Sequence, residues 1–249
     1  MKLLFVGDTH ATQDLDKIPA FLEKAELSKN DAIIHLGDIG VFFNGAGEEA
    51  YNFWSRLPYK VLVCLGNHEQ YEVIKSHGTV TKYGCRGFNL SNNIFAPLPG
   101  QTARLGGKKL WFYTGAFSVD FSLRTLGQNI FKEELLENEL SDRIIKRLLK
   151  RKNVDYIVSH DGPVSFIKEH FGFPIQPPPL LYWSKMRQTI NSRRHAGIAL
   201  DTVYKQFDFY GKWYFGHHHR DCFTDKVSCL WNCAVLENTR DNTVKIIEL

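Results

Sequence analysis

The sequence predicts an α/β fold, and three observations carry that expectation. Short apolar runs alternate with stretches of helical periodicity through the opening part of the chain. The runs are apolar on both faces, as in strands buried between layers, without the alternation of a half-exposed sheet. Five of them end on a small residue followed by a carboxylate, amide or imidazole. Open α/β sheets bind ligands at the carboxyl ends of their strands.

The first such ending is Leu3-Leu4-Phe5-Val6 running into Gly7-Asp8-Thr9-His10. Ile18, Phe21, Leu22, Ala25 and Leu27 then recur at helical spacing over residues 15–27, a helix that crosses back over the sheet. Ala32-Ile33-Ile34-His35-Leu36 runs into Gly37-Asp38, a helix is expected over 47–57 up to Pro58, and Val61-Leu62-Val63-Cys64-Leu65 runs into Gly66-Asn67-His68-Glu69. Periodicity fades over 70–100, where loops and short strands are expected. Leu105-Gly106-Gly107-Lys108 reads as a hairpin turn into Leu110-Trp111-Phe112-Tyr113, followed by Gly115-Ala116-Phe117-Ser118-Val119-Asp120 and Arg124. If that loop emerges at the same rim, Arg124 is placed to hold a phosphate through its planar fork; a salt bridge with Asp120 is the competing reading.

A helix is expected from about residue 132, ending in the basic run Lys146-Arg147-Leu148-Leu149-Lys150-Arg151-Lys152, whose charge complements the helix dipole. Tyr156-Ile157-Val158 leads to Ser159-His160, and Trp213-Tyr214-Phe215 to Gly216-His217-His218-His219. Between them, about 161–195 reads as a lid-like insertion holding Pro177-Pro178-Pro179 and a helix over 184–193, with another helix over 196–207. Residues 227–237 and 243–249 read as closing antiparallel strands turned at Asp241-Asn242.

The strand endings collect Asp8, His10, Asp38, Asn67, His160, His217 and His219 as candidate metal ligands. Mixed carboxylate, amide and imidazole donors suit borderline cations: manganese first, with iron or zinc as alternatives. So many donors exceed one tetrahedral site, and a carboxylate can bridge two cations, which singles out Asp38. His217 and His219, two apart on an extended segment, are expected on one side with His218 on the other. His35, His77, His170, His195 and His218 read as satisfied core or surface groups.

At 249 residues, 43% hydrophobic and 23% charged, the chain suits one large domain, 1–249, with a sizeable core. The apolar run after Met1 is too short for a signal peptide or a membrane span, so the expectation is a cytoplasmic protein. Five cysteines without Cys-x-x-Cys spacing read as reduced thiols, with Cys229 and Cys233 in strand packing. A net charge of +4 does not indicate nucleic acid.

In this order the five blocks resemble the calcineurin-like metallophosphoesterases. The resemblance implies a four-layer α-β-β-α sandwich of two mixed β-sheets between helices, with a dinuclear centre at the strand ends. It implies one cation held by Asp8, His10, Asp38 and His219, and a second by Asp38, Asn67, His160 and His217. His68 matches the family's general acid, while Glu69 completes the motif without an assigned role. The residues after Asp38, Ile39-Gly40-Val41, lack the Asp-Arg-Gly element of the protein serine/threonine phosphatases, and Ala11 stands where that branch has glycine. Both favour the smaller bacterial-type esterases.

The activity expected is hydrolysis of a phosphate ester, a nucleotide among the candidates, by a metal-bridging hydroxide. Asp38 bridges, His68 protonates the leaving oxygen, and Asn67, Arg124 and Arg220 contact the phosphate. The alternatives are a DNA- or RNA-processing nuclease of the same superfamily and a metal-binding scaffold without catalysis. Monoester or diester preference and oligomeric state are left open by the sequence.

Overall fold

A computed structural model describes residues 1–43, 45–118, 123–125, 127–151, 153–172, 193–207 and 211–249. The opening half follows the predicted alternation: β1 (Lys2–Val6), α1 (Lys17–Ala25), β2 (Ala32–His35), α2 (Gly47–Arg56) and β3 (Lys60–Val63). β1, β2 and β3 pair in parallel, so Asp8, Asp38 and Asn67 leave from one rim. The stretch where periodicity faded holds a short helix, α3 (Tyr71–Ser76), as well as β4 (Thr79–Lys82), β5 (Cys85–Asn89) and β6 (Ile94–Pro97). The helix is too short to leave a periodic signal; burial of Tyr71 and Ile74 holds it.

The hairpin at Gly106-Gly107 joins β7 (Thr102–Leu105) to β8 (Lys108–Tyr113), as expected. The next helix starts later than its periodicity suggested. Residues 132–134 form a single 3-10 turn, and β9 (Leu136–Glu137) is extended against β11 (Arg193–Arg194), so α4 runs only over Asn138–Lys150. Then come β10 (Tyr156–Ser159), α5 (Val164–Phe171), α6 (Ala196–Gln206) and β12 (Lys212–Phe215). α5 occupies part of the expected lid: it buries Val164, Phe166 and Ile167, with Phe166 edge-on to Phe215 of β12. The three prolines and nearly all of the helix expected over 184–193 lie outside the described residues; Arg193 is in a strand.

The run expected as one strand over 227–237 is divided. β13 (Cys222–Phe223) and β14 (Val227–Cys229) belong to one sheet, whereas β15 (Cys233–Asn238) and β16 (Thr243–Glu248) belong to the other. The chain changes sheet at 230–232, so Cys229 and Cys233 do not share a strand. One sheet has the order β16-β15-β1-β2-β3-β6-β5-β4, the other β13-β14-β12-β10-β8-β7. Both are mixed: parallel centres carry antiparallel neighbours such as β15 on β1 and β7 on β8.

Strand alternation sorts the side chains into layers. Leu4, Val6, Ile33, Val61 and Val63 face Ile18, Phe21, Ala50 and Trp54 of α1 and α2. Leu3, Phe5, Ile34, Leu62, Phe112, Val158 and Tyr214 meet between the sheets. Ile157, Trp213 and Phe215 face Ile144, Leu148, Phe166, Leu200 and Val203 of α4, α5 and α6. This is the helix-sheet-sheet-helix sandwich, and it sets the rim of β1–β3 against the rim of β10 and β12. No helix among the described residues is long and apolar enough to cross a membrane.

Candidate metal centre

All seven candidate ligands lie at the rim where the two sheets meet, with Asp8, Asp38, Asn67 and His160 each no more than 2% exposed. Asp38 stands between two groups. Its Oδ2 is 3.5 Å from His10 Nε2, and its Oδ1 is 3.3 Å from His160 Nε2. Asp8, His10 and His219 bring one ligand atom each within 4.8 Å of one another, and so do Asp38, His160 and His217. Asn67 Oδ1 lies 3.0 Å from His160 Nε2, on the second group's side.

The glycines before the ligands are needed for this convergence. A Cβ on Gly66 would stand 2.2 Å from Asp38 Oδ1 and 2.7 Å from His160 Nε2; one on Gly37, whose φ is +115°, would stand 2.2 Å from His160 Nδ1. Small-residue-then-ligand is therefore a packing requirement of the centre as well as a turn preference. Strain collects here too. His10, Asp38, His217 and His219 all hold left-handed backbone, half of the eight non-glycine residues with positive φ among those described.

This changes the account of the last block. His217 and His219 are not two apart on an extended segment; both are left-handed, with φ of 67° and 48°. The tight loop still sends them to different groups, His217 to His160 and Asp38, His219 to His10 and Asp8. His218 turns away, its Nε2 3.0 Å from Asp161 Oδ1.

The electrostatics fit a cationic occupant. Burial pulls the imidazoles of His10 and His160 down, but the hydrogen bonds and charge of Asp38, with Asp8 adding to them, hold them up at about 9 and about 10. Burial pushes the Asp38 carboxyl up, yet the His160 charge and the bonds from His10 and His160 hold it well below the usual carboxylate range. The buried carboxylates thus call for positive charge, which protons supply when nothing else does. Burial lowers His217 and His219, leaving them neutral as ligands must be. His10 Nε2 and His219 Nε2 approach to 3.3 Å. Two imidazole nitrogens so placed share either one proton or one cation. His160 Nδ1 is bonded to the Leu36 carbonyl at 2.8 Å and His10 Nδ1 to Asp14 at 2.9 Å, so each Nε2 is free to ligate, the arrangement typical of metal-binding histidines.

Several residues that the sequence left without a role build the site. Glu69, 1% exposed, accepts from Ile39 N (3.1 Å), Gly40 N (3.3 Å) and Gly66 N (3.4 Å), clamping the Asp38 loop to the Asn67 loop; burial and the Asp38 charge push its carboxyl up to about 8. Lys17 Nζ donates to the Asp8 carbonyl (2.5 Å) and the Trp231 carbonyl (2.7 Å), fixing the loop of the first candidate ligand to the segment between β14 and β15. Burial pushes Glu134 up to about 8, against hydrogen bonds from Ser118 and Phe131 and the Arg124 charge. Glu69 was visible in the sequence only as the last residue of its motif, and Lys17 and Glu134 gave no signal, because the contacts with Ile39, Trp231 and Ser118 that reveal their roles join separate segments of the chain.

The remaining expectations divide. The His68 N–H donates to Asp38 Oδ1 at 2.7 Å, and its ring stands 5.2 Å from that of His10. Arg124, 8% exposed, reaches His68 Nε2 with Nη2 at 2.6 Å and the Asn129 carbonyl with Nη1 at 3.0 Å. Asp120, its competing partner, lies outside the described residues. Arg220 is exposed, with its guanidinium over the Phe171 ring. His35 is a satisfied core group: its Nε2 is 3.1 Å from Thr9 Oγ1 and its Nδ1 accepts from Gly37 N. His195 differs from expectation, since its buried Nδ1 has no hydrogen-bond partner among the described residues.

The family model for calcineurin-like phosphoesterases matches residues 1–221, from the first strand past the His217–His219 loop. The chain belongs to this family. This calcineurin-like phosphoesterase has no match among curated proteins. One crystal structure aligns with 99% of this chain and 98% of its own at 11% identity and a TM-score of 0.59. TT1561 of Thermus thermophilus aligns over 99% and 98% at 10% identity and a TM-score of 0.51. At these identities the likeness is one of fold. A novel archaeal phosphodiesterase aligns over the whole of both chains at 12% identity with a TM-score of 0.45. Family membership carries phosphoester hydrolysis as the general activity, and the candidate clusters fit the metal dependence typical of the family.

Proposed function

We propose that this phosphoesterase hydrolyses phosphate esters at a centre that takes a pair of divalent cations, manganese first among them. Asp8, His10, Asp38 and His219 hold one cation, and Asp38, Asn67, His160 and His217 the other. The observation that carries this reading is the place of Asp38, one oxygen toward His10 and the other toward His160. When bound, such a pair supplies Lewis acidity, drawing charge from the phosphoryl oxygens and bringing the pKa of water toward neutrality.

The chain's own groups supply orientation and a proton. The His68 backbone N–H on Asp38 Oδ1 ties the bridging carboxylate to the residue that serves the leaving oxygen. A guanidinium only donates, so the His68 nitrogen it meets carries no proton while that bond persists. A phosphoryl anion competes for Arg124, and the released His68 nitrogen takes up a proton from solvent, which it then passes to the departing alkoxide. Arg220 stands beyond Phe171 as an outer contact for the substrate.

The test is a panel of aryl phosphodiesters and monoesters with manganese-loaded protein, with elemental analysis after desalting. Turnover together with a retained pair of cations supports the reading. Retention without turnover of any ester indicates a scaffold; hydrolysis confined to nucleic acid, with affinity falling steeply as salt rises, indicates a nuclease. No retained cation refutes the centre.

A further inference from the structure

Asn67 offers its cluster one end of an amide, and only the oxygen end can take a cation. Which end faces inward depends on what the other end meets. Asn67 Nδ2 donates to Ser118 Oγ at 3.0 Å, while Oδ1 points to His160 Nε2. A serine hydroxyl has one proton, and that of Ser118 is committed: Oγ donates to Glu134 Oε2 at 2.6 Å. The other oxygen of Glu134 accepts from Phe131 N at 2.8 Å.

Asn67, Ser118 and Glu134 are each no more than 2% exposed, so water does not replace a missing partner. Two backbone features bring the three together from distant segments. Gly115 N donates to the Leu65 carbonyl at 2.8 Å, joining the loop after β8 to the Asn67 loop. Gly115 itself, at φ +86°, lies so close to Glu134 that a Cβ would stand 2.2 Å from the Glu134 carbonyl oxygen.

We infer that Ser118 and Glu134 are positioning residues that hold the Asn67 amide oxygen toward a bound cation. Ionised Glu134 has no proton to give, so the chain of donors runs one way, from Asn67 through Ser118 to Glu134. This inference rests on the cation-binding reading of the centre and adds to it two residues that touch neither metal nor substrate.

Glu134→Gln tests the direction of the relay with little change of shape. Glutamine has one oxygen where two are used. If Phe131 N–H keeps it, the new amide donates to Ser118, the Ser118 proton turns to Asn67, and the Asn67 amide presents nitrogen to the cation. Ser118→Ala removes the anchor, and Ser118→Thr restores the hydroxyl. Manganese is titrated calorimetrically into metal-stripped protein, above the pH at which Glu134 ionises, with thermal unfolding of each variant recorded alongside. Both Glu134→Gln and Ser118→Ala are expected to weaken one cation of the pair about 10- to 100-fold, the scale for groups that orient a ligand, with the other cation little changed and Ser118→Thr close to wild type. Two unchanged affinities in the variants overturn the inference. So does equal weakening of both cations with a lowered unfolding temperature, which marks a structural role only. A wild-type protein that binds no cation pair would instead overturn the reading of the centre itself.

Discussion

Glu69 has the sharpest predicted phenotype among residues that touch no substrate. Ionised, above the value of about 8 to which burial and the Asp38 charge push it, its carboxylate is the acceptor for three buried backbone N–H groups, at 3.1, 3.3 and 3.4 Å. Glu69→Gln keeps one oxygen, which can serve Ile39 and Gly66, and sets an NH2 against Gly40, whose bond is long already. The loss is one weak bond, about 1 kcal/mol. Glu69→Ala strands all three donors and leaves a cavity. Orphaned buried donors cost about 1–3 kcal/mol each; relief from burying the carboxylate and the length of two of the bonds reduce the sum to about 3–5 kcal/mol. At about 2–4 °C per kcal/mol for a chain of this size, Glu69→Gln lowers Tm by about 2–4 °C and Glu69→Ala by about 6–20 °C. Differential scanning calorimetry on metal-stripped protein measures both. Equal losses in the two variants, or an alanine variant as stable as wild type, would show that Glu69 clamps nothing.

Three other outcomes are expected. His68→Ala should retain both cations yet lose about 10²- to 10⁴-fold in kcat on an ester with a poor leaving group; wild-type turnover on that ester removes His68 from proton delivery. Gly66→Ala places a methyl against Asp38 and His160, so activity should fall by about 10²-fold while the fold survives; a fully active variant refutes the tight convergence described for the centre. Asp31 accepts from Lys2 N (2.7 Å), Ser28 N and Ser28 Oγ (both 2.8 Å), and these bonds outweigh burial to hold its carboxyl below the ordinary 3.8. The folded state therefore binds the proton less readily than the unfolded chain, and the stabilisation is complete above about pH 3.8 and lost as pH falls through the folded value. Urea unfolding of wild type and Asp31→Asn should differ at neutral pH and converge in acid; a constant difference contradicts the linkage.

The residues that the fold brings together at the candidate centre were mostly legible before any fold was known. Asp8, Asp38, Asn67, His160 and His217 each follow a strand, and donor chemistry together with strand-end position is a local property that one stretch of chain displays. His219 was legible for a wrong reason: extended geometry was expected, and left-handed backbone does the sorting. The helix expected from residue 132 began late because residues 136–137 pair with 193–194, a partner no local pattern names. The strand read over 227–237 divides between sheets for a similar reason, since apolar periodicity is the same in either sheet.

By itself, then, the sequence determined which side chains could bind metal, their order, and the strands that deliver them, because side-chain chemistry and periodicity travel with the residues. Only the tertiary structure decided that the rims of two sheets meet, that Asp38 lies between two clusters of candidate ligands, and that Lys17, Glu69, Ser118 and Glu134 are hydrogen-bonded around them. Those hydrogen bonds join segments up to 214 residues apart. Their partners become neighbours only when distant strands pair, helices dock on the sheets and the sheets pack on each other, excluding water from the bonds between them.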